Sequence, residues 1–212
     1  MTEGPVGLAA QERKRVVLHV GCGIYAPERL HPSFRGPHWR EIRVDLDPRV
    51  KPDVIGSVTD LSPFTDESVE AVWSSHNIEH LYDHEATKAL AEFRRVLKPD
   101  GIALITTPDV EAIAKLVAEG KLDQVAYMSP AGPITALDML YGHRDSIRAG
   151  NHFMAHKTAF SAERLGRLLM EAGFSKVVMR KGQSYDLWAC ALMPRAVFPE
   201  PASPQPAQGR PE

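Results

Sequence analysis

The chain has 212 residues, 43% hydrophobic and 25% charged, with a net charge of −2, which suits one α/β domain with a substantial core and is too short for two ordinary ones. The near-neutral balance gives no reason to expect nucleic acid or an anionic membrane as a partner. No run of about 18 apolar residues offers a membrane span, and residues 1–15 lack the basic-then-apolar order of a secretory signal.

Residues 16–20, VVLHV, are an apolar β-branched run ending in Gly21-Cys22-Gly23. The two glycines let the backbone approach a ligand that a Cβ would block. Pro27, Pro32 and Pro37 then rule out a long first crossover helix. A second run at 42–45 ends in Asp45, placed to accept hydrogen bonds from two ribose hydroxyls. This order is the layout of a nucleotide-type site at the C-terminal edge of a parallel sheet. Strand-like runs follow at 53–57, 71–75, 102–107, 176–180 and 186–193. The runs at 16–20, 71–75 and 102–107 are nearly continuous in apolar residues, which predicts a sheet covered on both faces.

Helical spacing appears at 85–97, where Ala86, Leu90, Phe93 and Leu97 recur three and four apart. It recurs at 161–172, which opens at Ser161, repeats Leu165, Leu168 and Leu169, and stops before Gly173. Strands alternating with helices predict an α/β fold with a doubly wound, Rossmann-like, seven-stranded sheet over residues 15–194. Residues 1–14 read as a flexible N-terminus and 195–212 as a disordered, Pro-rich tail. The stretch 109–158 is too long for a simple connection. It holds a helical piece at 110–119 and a Gly-, Met-, His- and aromatic-rich part at 127–157, and reads as an inserted cap between the fifth strand and the last helix. Cys22 and Cys190 both fall in apolar runs, so no disulfide framework is expected and a reducing cytoplasm is the natural setting.

By pattern, Gly21-Cys22-Gly23-Ile24-Tyr25-Ala26 satisfies the dinucleotide fingerprint G-x-G-x-x-A. A pyrophosphate needs a helix N-terminus pointing at it, which the prolines spoil, while Asp45 fits any adenosine cofactor. Five further segments bear on the choice: Arg43 to Pro48, Val58 to Phe64, Val69 to Ser75, Ile78-Glu79-His80-Leu81, and Glu92 to Gly101. With the glycine segment, and covering about half the chain in the same order, they resemble the class I S-adenosylmethionine-dependent methyltransferases, type 11 group. The resemblance implies that fold and S-adenosylmethionine as cofactor. It puts Gly21, Cys22 and Gly23 under the methionine part and Asp45, ahead of Asp47, on the ribose. Asp60 and the Leu61 amide would meet the adenine, and Ser75 and His76 would line the methionine end. The family's third glycine is Tyr25 here.

His76, His80 and His84 stand four apart, a spacing that on a helix would share one face and build a metal site. The first two lie at a strand end and in a loop, and no Cys or carboxylate has companion spacing, so no metal is expected. His80 occupies the Glu-His-Leu position of the resemblance, at the pocket mouth, where it would orient a substrate or take a proton. In the cap, Tyr141, His143, Arg144, His152 and His156 have the make-up of a pocket wall that contacts substrate. Arg144 and Lys157 would meet an anionic group, and Gly142 and Gly150 would serve as hinges. The reading is a methyltransferase acting by in-line transfer on a small molecule or a saccharide- or lipid-linked metabolite. Its alternatives are a non-catalytic S-adenosylmethionine-binding module, an NAD-dependent oxidoreductase and a His-ligated metal enzyme. Oligomeric state is not indicated.

Overall fold

A computed structural model describes residues 13–197; the expectations for 1–12 and 198–212 lie outside the described residues. The strands are β1 (Arg15–Val20), β2 (Trp39–Asp45), β3 (Val54–Ile55), β4 (Val69–Ser75), β5 (Leu97–Pro108), β6 (Val125–Ser129), β7 (Gly132–Thr135), β8 (Lys176–Lys181) and β9 (Asp186–Leu192). The α-helices are α1 (Asp83–Val96), α2 (Val110–Ala118), α3 (Ala136–Tyr141), α4 (Arg144–Arg148) and α5 (Ala162–Glu171). Seven strands form one sheet in the order β3-β2-β1-β4-β5-β9-β8. β1 to β5 run parallel, and β9 enters antiparallel between β5 and β8. The order reverses between β1 and β4, so their C-terminal ends flank the crevice where open α/β sheets take ligands.

α1 starts where the Glu85 carboxylate accepts the Tyr82 amide at 2.8 Å, and it buries Ala86, Leu90, Phe93 and Val96. α5 starts at Ser161, whose hydroxyl accepts the Arg164 amide at 3.2 Å. It ends where Gly173 takes a φ of +96° that other residues resist. Both helices pack on one face of the sheet, over Leu18, Val20, Val72 and Ile105, in a single cluster.

The other face is covered as the continuous apolar strands predicted, though among the described residues by turns and rings and with no α-helix packed on it. The three prolines leave only 3-10 turns at Pro27–Arg29 and Pro32–Phe34. From them Leu30 and Phe34 cover Val17, Ala71 and Trp73, while Trp39, Ile102, Leu104 and Trp188 are only partly buried. Aromatic rings take the place of a helix: Trp73 stacks on Trp188 at 5.9 Å, and Phe34 meets Trp39 edge-on at 5.1 Å. The third strand is also shorter than its apolar run, Val54–Ile55 instead of 53–57.

Between β5 and α5 the chain forms α2, a β6–β7 hairpin that periodicity did not reveal, and the short helices α3 and α4. These share a small core of Ile113, Ile134, Ala136 and Met139. Gly142 is indispensable there. Its φ is +96°, and a Cβ on it would collide with the Met154 carbonyl; it is a packing position and not a free hinge. Past β9, the Arg195 amide still bonds to the Pro99 carbonyl at 2.8 Å, so order extends beyond the expected start of the tail.

Candidate active site

The glycine loop caps β1. Gly21 and Gly23 have φ of +61° and +62°, and a Cβ on Gly21 would enter the Asn77 side chain. Cys22 between them is buried, and burial pushes its thiol up to about 11, which leaves it an inert packing group. The loop is held by charge. Asp45 accepts the Gly23 amide at 2.8 Å on Oδ2 and the Asp47 amide at 2.9 Å on Oδ1, while Arg43 donates to the Gly23 carbonyl at 2.5 Å and to the Lys51 carbonyl at 2.9 Å. Each carboxylate oxygen of Asp45 keeps a further acceptor position. Asp47 is consumed by a fork from Arg49, at 2.8 and 2.7 Å, and these bonds hold its carboxyl below the usual range. Leu46, next in the chain, and Ile55, opposite Asp45 in register, are 53% and 62% exposed. Apolar surface left open beside a carboxylate is the make-up of a ligand seat.

Asp60 and Leu61 are engaged toward α1. The Leu61 amide donates to Glu92 at 2.7 Å, and Asp60 accepts the Ser62 amide at 3.1 Å. With Lys88, Glu92 and Arg95 from α1, Asp60 lines an open cleft of about 490 Å³. The reason is local: Glu92 and Arg95 on α1 bind the backbone of 61–64 and draw it along the helix. The residues that follow β3 beside Asp45 are Gly56, Ser57 and Val58, where the Gly56 amide meets the Asp45 carbonyl at 3.0 Å. Apart from Val58, which opens one of the resembling segments, the sequence had given none of them a role in the site.

At the end of β4, the half-buried Ser75 accepts a bond from Thr106 Oγ1 at 3.2 Å. His76 follows in the left-handed region, φ +47°, its amide on the Thr106 carbonyl at 2.9 Å. Next comes Asn77, whose Nδ2 is buried without a partner beside Gly21. Glu79 is 1% exposed. Its Oε2 accepts from Thr107 Oγ1 at 3.0 Å, whereas Oε1 has no hydrogen bond, with His76 Nδ1 at 3.4 Å. Burial opposes the charge on Glu79, but His76, His80 and His156 outweigh it and hold the carboxyl well below the usual range. Burial also opposes the His76 imidazolium, and Glu79 reverses that and raises its pKa.

The cap docks here through backbone and imidazoles. The Lys157 amide meets the Glu79 carbonyl at 2.8 Å. His80 Nδ1 donates to the Ala155 carbonyl at 3.2 Å, and His156 Nδ1 donates to the Met139 carbonyl at 2.9 Å. A carbonyl only accepts, so each Nδ1 carries a proton and each Nε2 is left for another partner. The two rings stand 4.8 Å apart. Burial lowers the pKa of His156, which favours the neutral ring.

Of the cap residues expected to meet substrate, His143 and His156 line a cavity of about 130 Å³ together with His76, Glu79 and His80. Tyr127, Asp138 and Tyr185, not singled out in the sequence, line it too. Tyr141 is 63% exposed and, like the exposed His152, lies off that lining. Arg144 is bound to Asp138 at 2.8 Å and to Thr135 at 3.2 Å; it holds the start of α3 and is not free to meet an anion. Lys157 sits over the Tyr82 ring, 4.7 Å from its centre. His84 is exposed on α1 and stacks on Tyr82 at 6.1 Å, so the 76/80/84 set does not form. The carboxylate that spacing failed to supply is Glu79. Glu79, His80 and His156 each present a ligand-type atom, all within 4.8 Å of one another.

The strand order, the side-chain-free loop, the carboxylate at the end of β2 and the orphaned Asn77 donor fit an adenosine cofactor with a charged amino-acid end. The strand order is that of the class I methyltransferase fold. Residues 18–105 match the type 11 family profile, described as a methyltransferase domain; over that stretch the chain is similar to the family, and the match together with the fold supports a methyltransferase with S-adenosylmethionine as cofactor.

Solved structures show the same fold at low identity. The PH0226 protein of Pyrococcus horikoshii is 17% identical over 86% of this chain and 83% of its own, with a TM-score of 0.58. An S-adenosylmethionine-dependent methyltransferase from Archaeoglobus fulgidus is 16% identical over 84% and 86%, with a TM-score of 0.56. The 1,6-didemethyltoxoflavin-N1-methyltransferase of Burkholderia thailandensis, solved with 1,6-didemethyltoxoflavin and S-adenosylhomocysteine, is 17% identical over 85% and 72%, with a TM-score of 0.54. Comparison with curated protein sequences gave no match. Among the described residues no helix is long and apolar enough to cross a membrane.

Proposed function

We propose that the enzyme methylates a small molecule whose acceptor group enters the cavity between the β4 end and the 109–158 cap. The observation that carries this reading is the cavity itself. Its wall at His76, Glu79 and His80 follows directly on Ser75 and Asn77 at the glycine loop, and His143 and His156 close it from the cap. A volume of about 130 Å³ is that of roughly four waters, room for one ring or a short polar group. The body of a saccharide- or lipid-linked acceptor would stay outside.

Asp45 would hold the ribose hydroxyls with the acceptor positions its loop bonds leave free. Leu46 and the 56–58 turn would flank the adenine, in place of Asp60 and Leu61. Gly21, Cys22 and Gly23, with Ser75, His76 and the unpartnered Asn77 Nδ2, would surround the methionine end. When bound, S-adenosylmethionine supplies a methyl group on a sulfonium that keeps the bonding electron pair as it departs. The protein's remaining tasks are alignment and exclusion of water, which the docked cap serves. His80 is the residue placed to receive the acceptor's proton, since its Nδ1 is committed to the Ala155 carbonyl and its Nε2 is not. Both cysteines are unpaired, in keeping with a reducing cytoplasm.

Calorimetric titration with S-adenosylmethionine, S-adenosylhomocysteine and NADH tests the cofactor seat, with binding of the first two and not the third expected. Acceptor screening then follows on His80→Gln. That variant should keep cofactor affinity and lose roughly 10²–10⁴-fold in turnover. Full turnover in that variant overturns the role of His80. Failure of all small acceptors to be methylated, beside a saturated cofactor site, overturns the substrate class.

A further inference from the structure

We propose that Glu79, His80 and His156 bind a divalent transition-metal ion at the floor of the cap cavity. The set has what such a site requires. Two imidazoles and a carboxylate are the donors that hold zinc, ferrous iron, cobalt or manganese. Each imidazole is pinned by an Nδ1 bond to a backbone carbonyl, Ala155 for His80 and Met139 for His156, the outer arrangement that presents Nε2 to a metal and fixes its direction. The carboxylate is likewise anchored by one oxygen, on Thr107 at 3.0 Å, while Oε1 is buried without a hydrogen bond. Its nearest cationic neighbour is the His76 ring, at 3.4 Å; a buried anionic oxygen without a hydrogen bond is costly to fold around, and a cation held between it and the imidazoles lowers that cost further.

Distances permit the ion. One ligand-type atom from each of the three residues lies within 4.8 Å of the other two, and bonds of about 2.0–2.2 Å in a tetrahedron set donors roughly 3.4 Å apart. Closing that gap takes at most about 1.4 Å of side-chain movement. Two of the ligands are adjacent in the chain, and the third comes from the cap. The ion would therefore also fasten cap to domain, adding to the bond from the Lys157 amide to the Glu79 carbonyl. Three protein ligands leave a position open, and an open position on such an ion takes an oxygen and lowers the pKa of the group that carries it. The acceptor class that follows is a hydroxyl compound that loses its proton to water on binding and attacks the methyl as the oxyanion; with the ion bound His80 is its ligand, and the proton-accepting role of His80 is that of the ion-free protein. This last step rests on the methyl-transfer reading; the binding of the ion does not.

The test is titration of chelator-stripped, full-length protein with cobalt(II) chloride and zinc chloride, followed by calorimetry and by the visible absorption of cobalt. One equivalent per chain is expected, with the absorption of a nitrogen- and oxygen-ligated ion of low coordination number. Glu79→Gln and His156→Gln should each weaken binding by more than roughly a hundredfold, beyond the 10–100-fold typical of outer partners. His84→Gln should leave it unchanged. Circular dichroism shows which variants are folded, and His80→Asn replaces either that is not. No stoichiometric binding to the wild type, or equal binding by the folded ligand variants, overturns the site. Stoichiometric binding that depends on these side chains upholds the site even if no acceptor is ever methylated, an outcome that would count only against the functional reading.

Discussion

Asp45→Asn separates the ribose carboxylate from every other candidate. In the wild type both carboxylate oxygens already accept a backbone amide, Gly23 at 2.8 Å and Asp47 at 2.9 Å. An Asn offers one oxygen and one NH2, so whichever way the amide turns, one of these N–H groups faces a donor, and the negative charge is gone. A hydrogen bond to a charged partner contributes about 1.5–3 kcal/mol, and one such bond lost on the ribose side weakens cofactor binding roughly ten- to hundredfold. The assay is calorimetric titration with S-adenosylhomocysteine, with far-UV circular dichroism to show that the loop change has not unfolded the domain. Asp47→Asn, which disturbs only its bonds to the Arg49 side chain and amide, and Asp60→Ala, on the cleft beside α1, should bind as the wild type does. Wild-type affinity in Asp45→Asn refutes the ribose assignment, and a comparable loss in Asp60→Ala returns the adenine to the position that the family resemblance implied.

Three other outcomes are expected. Phe93, fully buried between α1 and the sheet, should cost about 3–5 kcal/mol on truncation to Ala; urea denaturation measures it, and a loss under 1 kcal/mol would mean this face is not the main core. Gly142→Ala places a Cβ against the Met154 carbonyl in a positive-φ extended backbone that costs other residues about 1–3 kcal/mol. Amide hydrogen exchange should therefore rise across 136–158 and stay unchanged in β1 and β4; uniform exchange would show that Gly142 is not the lock. His19 supplies a pH test. Its burial disfavours the imidazolium and, despite Glu41 at 2.6 Å, leaves its pKa below the ordinary 6.5. The unfolded chain then binds the proton more readily than the folded one, so stability is complete above 6.5 and is lost as the pH falls below it. Denaturation of wild type and His19→Asn at pH 7.5 and 5.5 should show a smaller acid loss in the variant, and an equal loss in both would remove His19 from the account.

The local part of this protein was written in the sequence. Apolar runs located all seven strands of the sheet, three- and four-residue spacing located α1 and α5, and the prolines foretold the missing first helix, because each depends on near neighbours. That the Gly21 to Gly23 loop adjoins Asp45 was legible for the same reason, these being the ends of two adjacent parallel strands. Asp60 and Leu61 were not, since their place depends on Glu92 and Arg95 some thirty residues away, which bind the intervening backbone along α1. Nor could spacing bring His156 to Glu79 and His80: the three meet only because the cap folds back on the β4 end, and bonds between distant backbone groups hold it there. The sequence by itself determined the sheet and the cofactor edge through periodicity and turn chemistry. Only the tertiary structure decided which titratable groups face one another, because that follows from where long connections close.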